Sequence, residues 1–221
     1  MKSTLLAIIH DFKSIFIAYG IIFVICGLLF VISSFYPDVI PVLSTSRSTL
    51  WGIITSIFVH SSLSHFANNM ITLFFFMFLF AISNYTLLIE RKKSAERFFL
   101  VSSFVLAIVS NILWIFISPT GAVGASGLVY ATEGIVFGFS FIRGFGLLNY
   151  KKFRTQKPPV QLSVFLNLAI FLGILTEIFL EPAAFLSVGP GVNVYEHFIS
   201  FYVGFVIAVF FYLIHKIPIL E

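Results

Sequence analysis

Six long apolar runs separated by short polar blocks organise the chain, at about residues 14–36, 64–88, 98–118, 126–142, 161–180 and 196–214. Each is close to the ~20 residues that a helix needs to cross a ~30 Å hydrocarbon core, and runs of that length read as helices rather than strands. The first run is longer than a signal-peptide core and lacks a small-residue cleavage site, so it is expected to remain as an anchor. The longest hydrophilic connections lie around 37–63 and 143–160. No internal repeat and no separate soluble segment is visible, which predicts one transmembrane domain over residues 1–221.

Composition turns this pattern into a solvent argument. Hydrophobic residues make up 59% of the 221 positions and charged residues 10%, against roughly 45–50% and 25% in soluble domains. Thirty phenylalanines and a mean hydropathy of +1.07 suit a surface that faces lipid. There the backbone finds no water and must satisfy itself within helices or a closed barrel. The expected fold is an all-α membrane protein, a bundle of six transmembrane helices.

A net charge of +4 does not point to nucleic acid, because the charges sit in blocks between the apolar runs. Lys2, Lys13, Arg91, Lys92, Lys93, Arg97, Arg143, Lys151, Lys152, Arg154, Lys157 and Lys216 fall on one side of the predicted spans, which leaves only Arg47 of the 13 basic residues on the other. The positive-inside rule then places both termini in the cytoplasm and the 37–63, 119–125 and 181–195 loops outside. The single cysteine, Cys26, lies in the first run, so no intrachain disulfide is possible.

A helix ruler gives depth. Ser126 stands about 25 Å from the cytoplasmic Arg143 and His197 about 28 Å from Lys216, at 1.5 Å per residue. The two share one level near the external side.

Three constellations carry chemistry. Gly121-Ala122-Val123-Gly124-Ala125-Ser126-Gly127 surrounds a serine with glycines where a loop enters a helix. Such a helix start offers free N–H groups to a developing oxyanion, although it also reads as a small-residue start that permits close packing. His197 is an ionisable residue inside a membrane helix, which is expensive and points to function, or alternatively to hydrogen bonding between helices. His197, Gly204 and Ala208 share a face with Ser200 beside them. Gly127, Ala131, Gly134 and Gly138 form a small-residue stripe on the fourth span, next to Ser126 and Tyr130. Small faces let helices approach closely, so spans four and six are expected to touch and to bring His197 to Ser126. In the third constellation, His65 and Asn69 stand i,i+4 at the start of the second span and both can donate to an anionic oxygen. Ser62 or Ser64 is the expected cap of that helix. His60 and His65, five apart and without a carboxylate or cysteine partner, do not favour zinc, and no metal is expected.

In this combination and order, the residues resemble the rhomboid intramembrane proteases. The resemblance rests on His65 and Asn69 in the second span, Gly124-Ala125-Ser126-Gly127 opening the fourth and His197 in the sixth, and extends to Trp51, His60, Tyr130 and Gly204. Two positions depart from it: Gly52 stands where relatives often have arginine, and Ser200 where many have glycine. The resemblance implies a serine endopeptidase without cofactor, with Ser126 as nucleophile and His197 as general base. His65, Asn69 and the Ser126 backbone N–H would hold the oxyanion. Gly124, Gly127, Tyr130 and His60 would support them, Tyr130 packing on the His197 ring and His60 organising its loop. The implied substrates are single-span or other transmembrane proteins cut in or near the membrane, and the expected place is the cell membrane, with the site open to the external side.

Further expectations concern the surroundings. Glu196 adjoins His197 in sequence but points elsewhere on a helix, so a dyad is expected, with Glu196 as a loop-edge carboxylate. Glu133 lies about 10 Å deeper than Ser126 on nearly the same face, either as a protonated carboxyl bonded to a neighbouring helix or as a determinant of water retention or substrate fit. Water would reach the dyad through Ser61, Ser62, Ser64 and the 119–125 loop. The fifth span, which carries none of these groups, and the 181–195 loop would form gate and cap. Two other functions remain to be weighed. An inactive client-binding relative would have lost the serine or the histidine, and both are present. A proton or ion relay through Glu133, His65 and His197 would leave the glycine–serine–glycine turn unexplained and lacks repeat symmetry.

Overall fold

A computed structural model describes residues 4–118, 120–145, 153–180, 182 and 194–215. The long elements are α2 (Lys13–Phe35), α5 (Leu63–Ser83), α6 (Ile89–Ile117), α7 (Ser126–Gly144), α8 (Pro158–Leu180) and α9 (Val194–Ile214). A short α1 (Thr4–Asp11) precedes them. Between α2 and α5 the chain forms α3 (Val39–Leu43), α4 (Gly52–Thr55) and a 3-10 turn, Ser56–Phe58. Among the described residues there is no strand, only isolated bridges.

The six apolar runs form helices with shifted ends. α6 begins nine residues before the expected 98, because Glu90, Arg91, Lys92, Lys93 and Glu96 are good helix formers and carry the helix through the basic block. α5 stops at Ser83 rather than 88, where Asn84 caps it. α8 opens on Pro158, a residue suited to a first helical turn whose N–H is unpaired anyway.

Five of these helices are long and apolar enough to cross a membrane: α2, α5, α6, α8 and α9. The fourth apolar run does form a helix, α7, but it is not among the five. It carries Glu133, Arg143 and several glycines, and 15 of its 19 residues are buried. The protein is therefore a bundle of apolar helices around one central, less apolar one, with α2 at the periphery.

Small residues explain the centre. A side chain at Gly134 would strike the Phe201 carbonyl, one at Gly138 would strike Ala208 and Phe205, and one at Gly204 would strike Ala131. α7 and α9 thus meet backbone to backbone along the two stripes read from the sequence, as small residues permit in lipid, where packing replaces the hydrophobic effect. Phenylalanines fill the wider gaps. Phe80 stacks on Phe99 with centroids 4.1 Å apart and meets Phe139 edge-on, and Phe98 stacks on Phe211 at 4.1 Å.

At the end of the bundle where α5 and α7 finish and α8 begins, a buried polar knot holds three helices. Arg143 donates to Asn84 Oδ1 at 3.2 Å, Thr86 Oγ1 at 2.7 Å and Ser163 Oγ at 3.0 Å. Ser163 and Asn167 in turn donate to the Ser83 carbonyl at 3.0 and 3.1 Å. On the same side Lys92 pairs with Asp11, and Glu96 accepts the Ile15 N–H at 3.2 Å, fastening α1 and α2 to α6.

Candidate active site

The opposite end of the bundle gathers the N-termini of α5, α7 and α9, and with them the residues singled out in the sequence. Ser126 is the first residue of α7. The turn before it is pinned from the 37–63 loop: Thr45 and Ala122 exchange hydrogen bonds at 3.0 and 3.1 Å, and the Gly124 N–H donates to the Ser56 carbonyl at 2.9 Å. Gly124 has φ +125°, a backbone conformation that L side chains rarely adopt. A Cβ there would also run into the His65 ring and come within 3.5 Å of Asn69 Nδ2. Glycine at this position therefore lets the serine turn lie directly on His65 and Asn69.

Ser62 caps α5, accepting the His65 N–H at 3.1 Å, which settles the choice between Ser62 and Ser64. His65 Nδ1 lies 3.3 Å from Ser61 Oγ, so the ring is oriented on one side by a hydroxyl and lies on the other against Gly124. One turn on, Asn69 is buried, and its Nδ2 finds no hydrogen-bond acceptor among the described residues. Among the described residues, the site thus holds a donor without a hydrogen-bond partner beside the serine turn.

His60 is completely buried in the loop, edge-on to His65 with ring centroids 5.1 Å apart. Burial first, and then the neighbouring His65, push its pKa down to about 4. The ring is neutral at pH 7, and Nε2 accepts from the Ala125 N–H at 3.5 Å.

His197 lies in the first turn of α9, buried, with the Tyr130 ring stacked on it at 4.1 Å and 27°. Among the described residues neither of its ring nitrogens has a hydrogen-bond partner, so no carboxylate orients it and it is not bonded to Ser126 here. Glu196 differs from its expected place at the loop edge. It is 4% exposed, and its carboxylate packs on Gly127 so closely that any side chain at 127 would overlap it. The close contact between α7 and α9 buries this residue, which helical phase relative to His197 does not reveal. Gly127 thereby sets how near the start of α9 comes to Ser126.

The departure at Gly52 has a steric reason: a Cβ at this position would overlap the Ser44 backbone. Trp51 beside it is exposed and donates Nε1–H to the Val42 carbonyl at 2.8 Å, fastening the loop. Sequence reasoning missed two contributors. Asn111 of α6, buried, donates to the Ile53 carbonyl at 2.9 Å and Ser56 Oγ at 3.1 Å, bracing the loop that holds Gly124. Glu177 of α8 lines a cleft with Asn69, Tyr130 and Glu133, although the fifth span was expected to bring no polar group to the site. A polar residue inside an apolar run was the available signal for both. The expected 181–195 cap falls almost wholly outside the described residues.

The family model of the Rhomboid domain matches residues 47–214, an interval that runs from the loop before α4 to the end of α9 and includes every candidate residue. The chain belongs to the rhomboid family. No curated protein matches it. The rhomboid family is one of intramembrane serine proteases, and this rhomboid, with five apolar helices of spanning length, is an integral multi-pass membrane protein.

Proposed function

We propose that this rhomboid is an active intramembrane endopeptidase that hydrolyses peptide bonds in or near transmembrane segments of membrane proteins through a Ser126–His197 dyad. The observation that carries the reading is the convergence at the serine turn: His65 and Asn69 lie against Gly124, while Glu196 on Gly127 and His197 under Tyr130 bring α9 to the residues that flank Ser126.

In this reading Ser126 Oγ attacks the scissile carbonyl carbon as its proton passes to His197, and the carbonyl oxygen becomes an oxyanion. His65, Asn69 Nδ2 and the Ser126 N–H donate to that oxyanion, a kind of donor whose loss costs roughly 10²–10³ in rate. Collapse expels the amine, which takes the proton from His197, and leaves an ester on Ser126. Water, deprotonated by His197, then hydrolyses the ester. The hydrogen bond from Ser126 to His197 closes as substrate binds, since catalytic contacts in free enzymes are often long.

A fluorophosphonate is expected to label wild-type protein at Ser126 and to leave Ser126→Ala and His197→Ala unlabelled; labelling that persists in Ser126→Ala defeats the assignment. The single domain over 1–221 is read as six spans, with α7 as the fourth, both termini in the cytoplasm and the site open to the outside of the cell membrane. In a Cys26→Ser background, an impermeant thiol reagent added to intact cells is expected to reach a cysteine at Ser48 and not one at Lys93. The reverse pattern would invert the topology.

A further inference from the structure

The mechanism above leaves one buried ionisable group unused. Glu133 stands seven residues after Ser126 on α7 and is 3% exposed, and its Oε1 accepts no hydrogen bond from the described residues. It lines a cleft of about 440 Å³ between α5 and α8, together with Asn69, Thr72, Phe76, Tyr130 and Glu177. Among the described residues, no lysine, arginine or histidine lines that cleft. A carboxyl oxygen taken out of water without a hydrogen-bond donor is costly. The cost is relieved if the donor arrives with a ligand, and an orphaned Glu133 oxygen in a cleft whose described lining holds no basic side chain suits a positively charged hydrogen-bond donor.

The cleft is continuous with the candidate catalytic residues through Asn69 and Tyr130. Seven residues of helix put Glu133 about 10 Å below Ser126. A peptide extended at about 3.3 Å per residue covers that distance in roughly three residues. A basic side chain is itself expensive in lipid, so a client that carries one near the outer membrane boundary gains by moving it from hydrocarbon to this cleft.

We propose that Glu133, together with Glu177, forms a specificity subsite that takes a lysine or arginine side chain of the substrate about three residues to the membrane side of the cut. The proposal rests on the protease reading above. Glu133 is the buried acceptor that fixes the position, and Glu177, on the exposed flank of α8, adds charge at the mouth.

The test uses the full chain reconstituted in liposomes and a single-span substrate with leucine at positions two to four beyond the cut, each replaced singly by lysine or by glutamine. At the best position lysine is expected to raise kcat/KM over leucine by roughly 10–100-fold, the range of hydrogen bonds to charged groups. In Glu133→Gln that ratio should fall close to one, and in Glu133→Lys the preference should pass to a glutamate-bearing substrate. Glu177→Gln, at an exposed position, should lower the ratio by a smaller factor and serves if the Glu133 variants do not fold. Equal wild-type rates on lysine and leucine, glutamine as good as lysine, or a ratio unchanged in Glu133→Gln would each overturn the subsite. Fluorophosphonate labelling of the same wild-type preparation separates the two readings. A labelled enzyme without basic preference overturns the subsite alone, whereas an unlabelled one that cleaves nothing overturns the protease reading and the subsite with it.

Discussion

His60 shows how one residue links charge to the shape of the serine turn. Its pKa lies at about 4, against 6.5 for an ordinary histidine, so the unfolded chain takes up a proton below pH 6.5 that the folded chain refuses until about 4. Stability from this residue is complete above pH 6.5 and declines as pH falls toward 4. Protonation also removes the Nε2 lone pair that accepts the Ala125 N–H. Thermal unfolding in detergent should therefore show a loss between pH 7 and pH 5 that is smaller in His60→Gln than in wild type. Equal losses would remove His60 as the source. Residues of this kind were legible in the sequence wherever the chemistry is local. Gly124, Ser126 and Gly127 are consecutive or nearly so, and a helix start after a glycine turn can be recognised from a few positions. Glu196 was misplaced because its burial depends on how closely α9 packs on α7, and Glu177 was missed because the neighbour of α8 is a tertiary fact.

Among the elements, the pair α7 and α9 decides the geometry, and the small-residue stripes made their contact readable in advance. At the serine end of this pair, Gly127 packs against Glu196 as closely as Gly134 packs against the Phe201 carbonyl. Gly127→Ala should destabilise the protein by about 1–3 kcal/mol, the usual cost of overpacking, and should reduce Ser126 labelling by moving the start of α9. Adding Glu196→Ala should return part of both, because coupled neighbours are not additive. Strict additivity in this double-mutant cycle would show that the contact does not set the spacing. The ends of α5 and α6 were less legible, since a cap at Asn84 and helix-forming charged residues at 90–97 shift boundaries without altering the apolar pattern.

For the whole molecule, the proposed route of substrate to the dyad is the cleft between α5 and α8, with α8 as the mobile side. A disulfide between cysteines placed in the outer halves of α5 and α8 should abolish cleavage of a transmembrane substrate and leave small-molecule labelling of Ser126 intact, and reduction should restore cleavage. Undiminished cleavage in the oxidised protein would exclude α8 as the gate. The apolar pattern revealed the bundle. It did not reveal that α7 would be the buried axis, because depth within a bundle depends on which helix carries the small residues rather than on hydropathy.

The knot around Arg143 has a mechanical consequence. Ser163 and Asn167 fasten the first turns of α8 to the ends of α5 and α7, whereas the far end of α8 bears the exposed Phe179 and Leu180. A helix held at one foot moves as a lever. At about 34 Å long, by 1.5 Å per residue, α8 tilting by roughly 10° would swing its other end about 6 Å while its foot stays still. The aperture would then widen at the level of the serine, and the opposite face of the bundle would stay sealed.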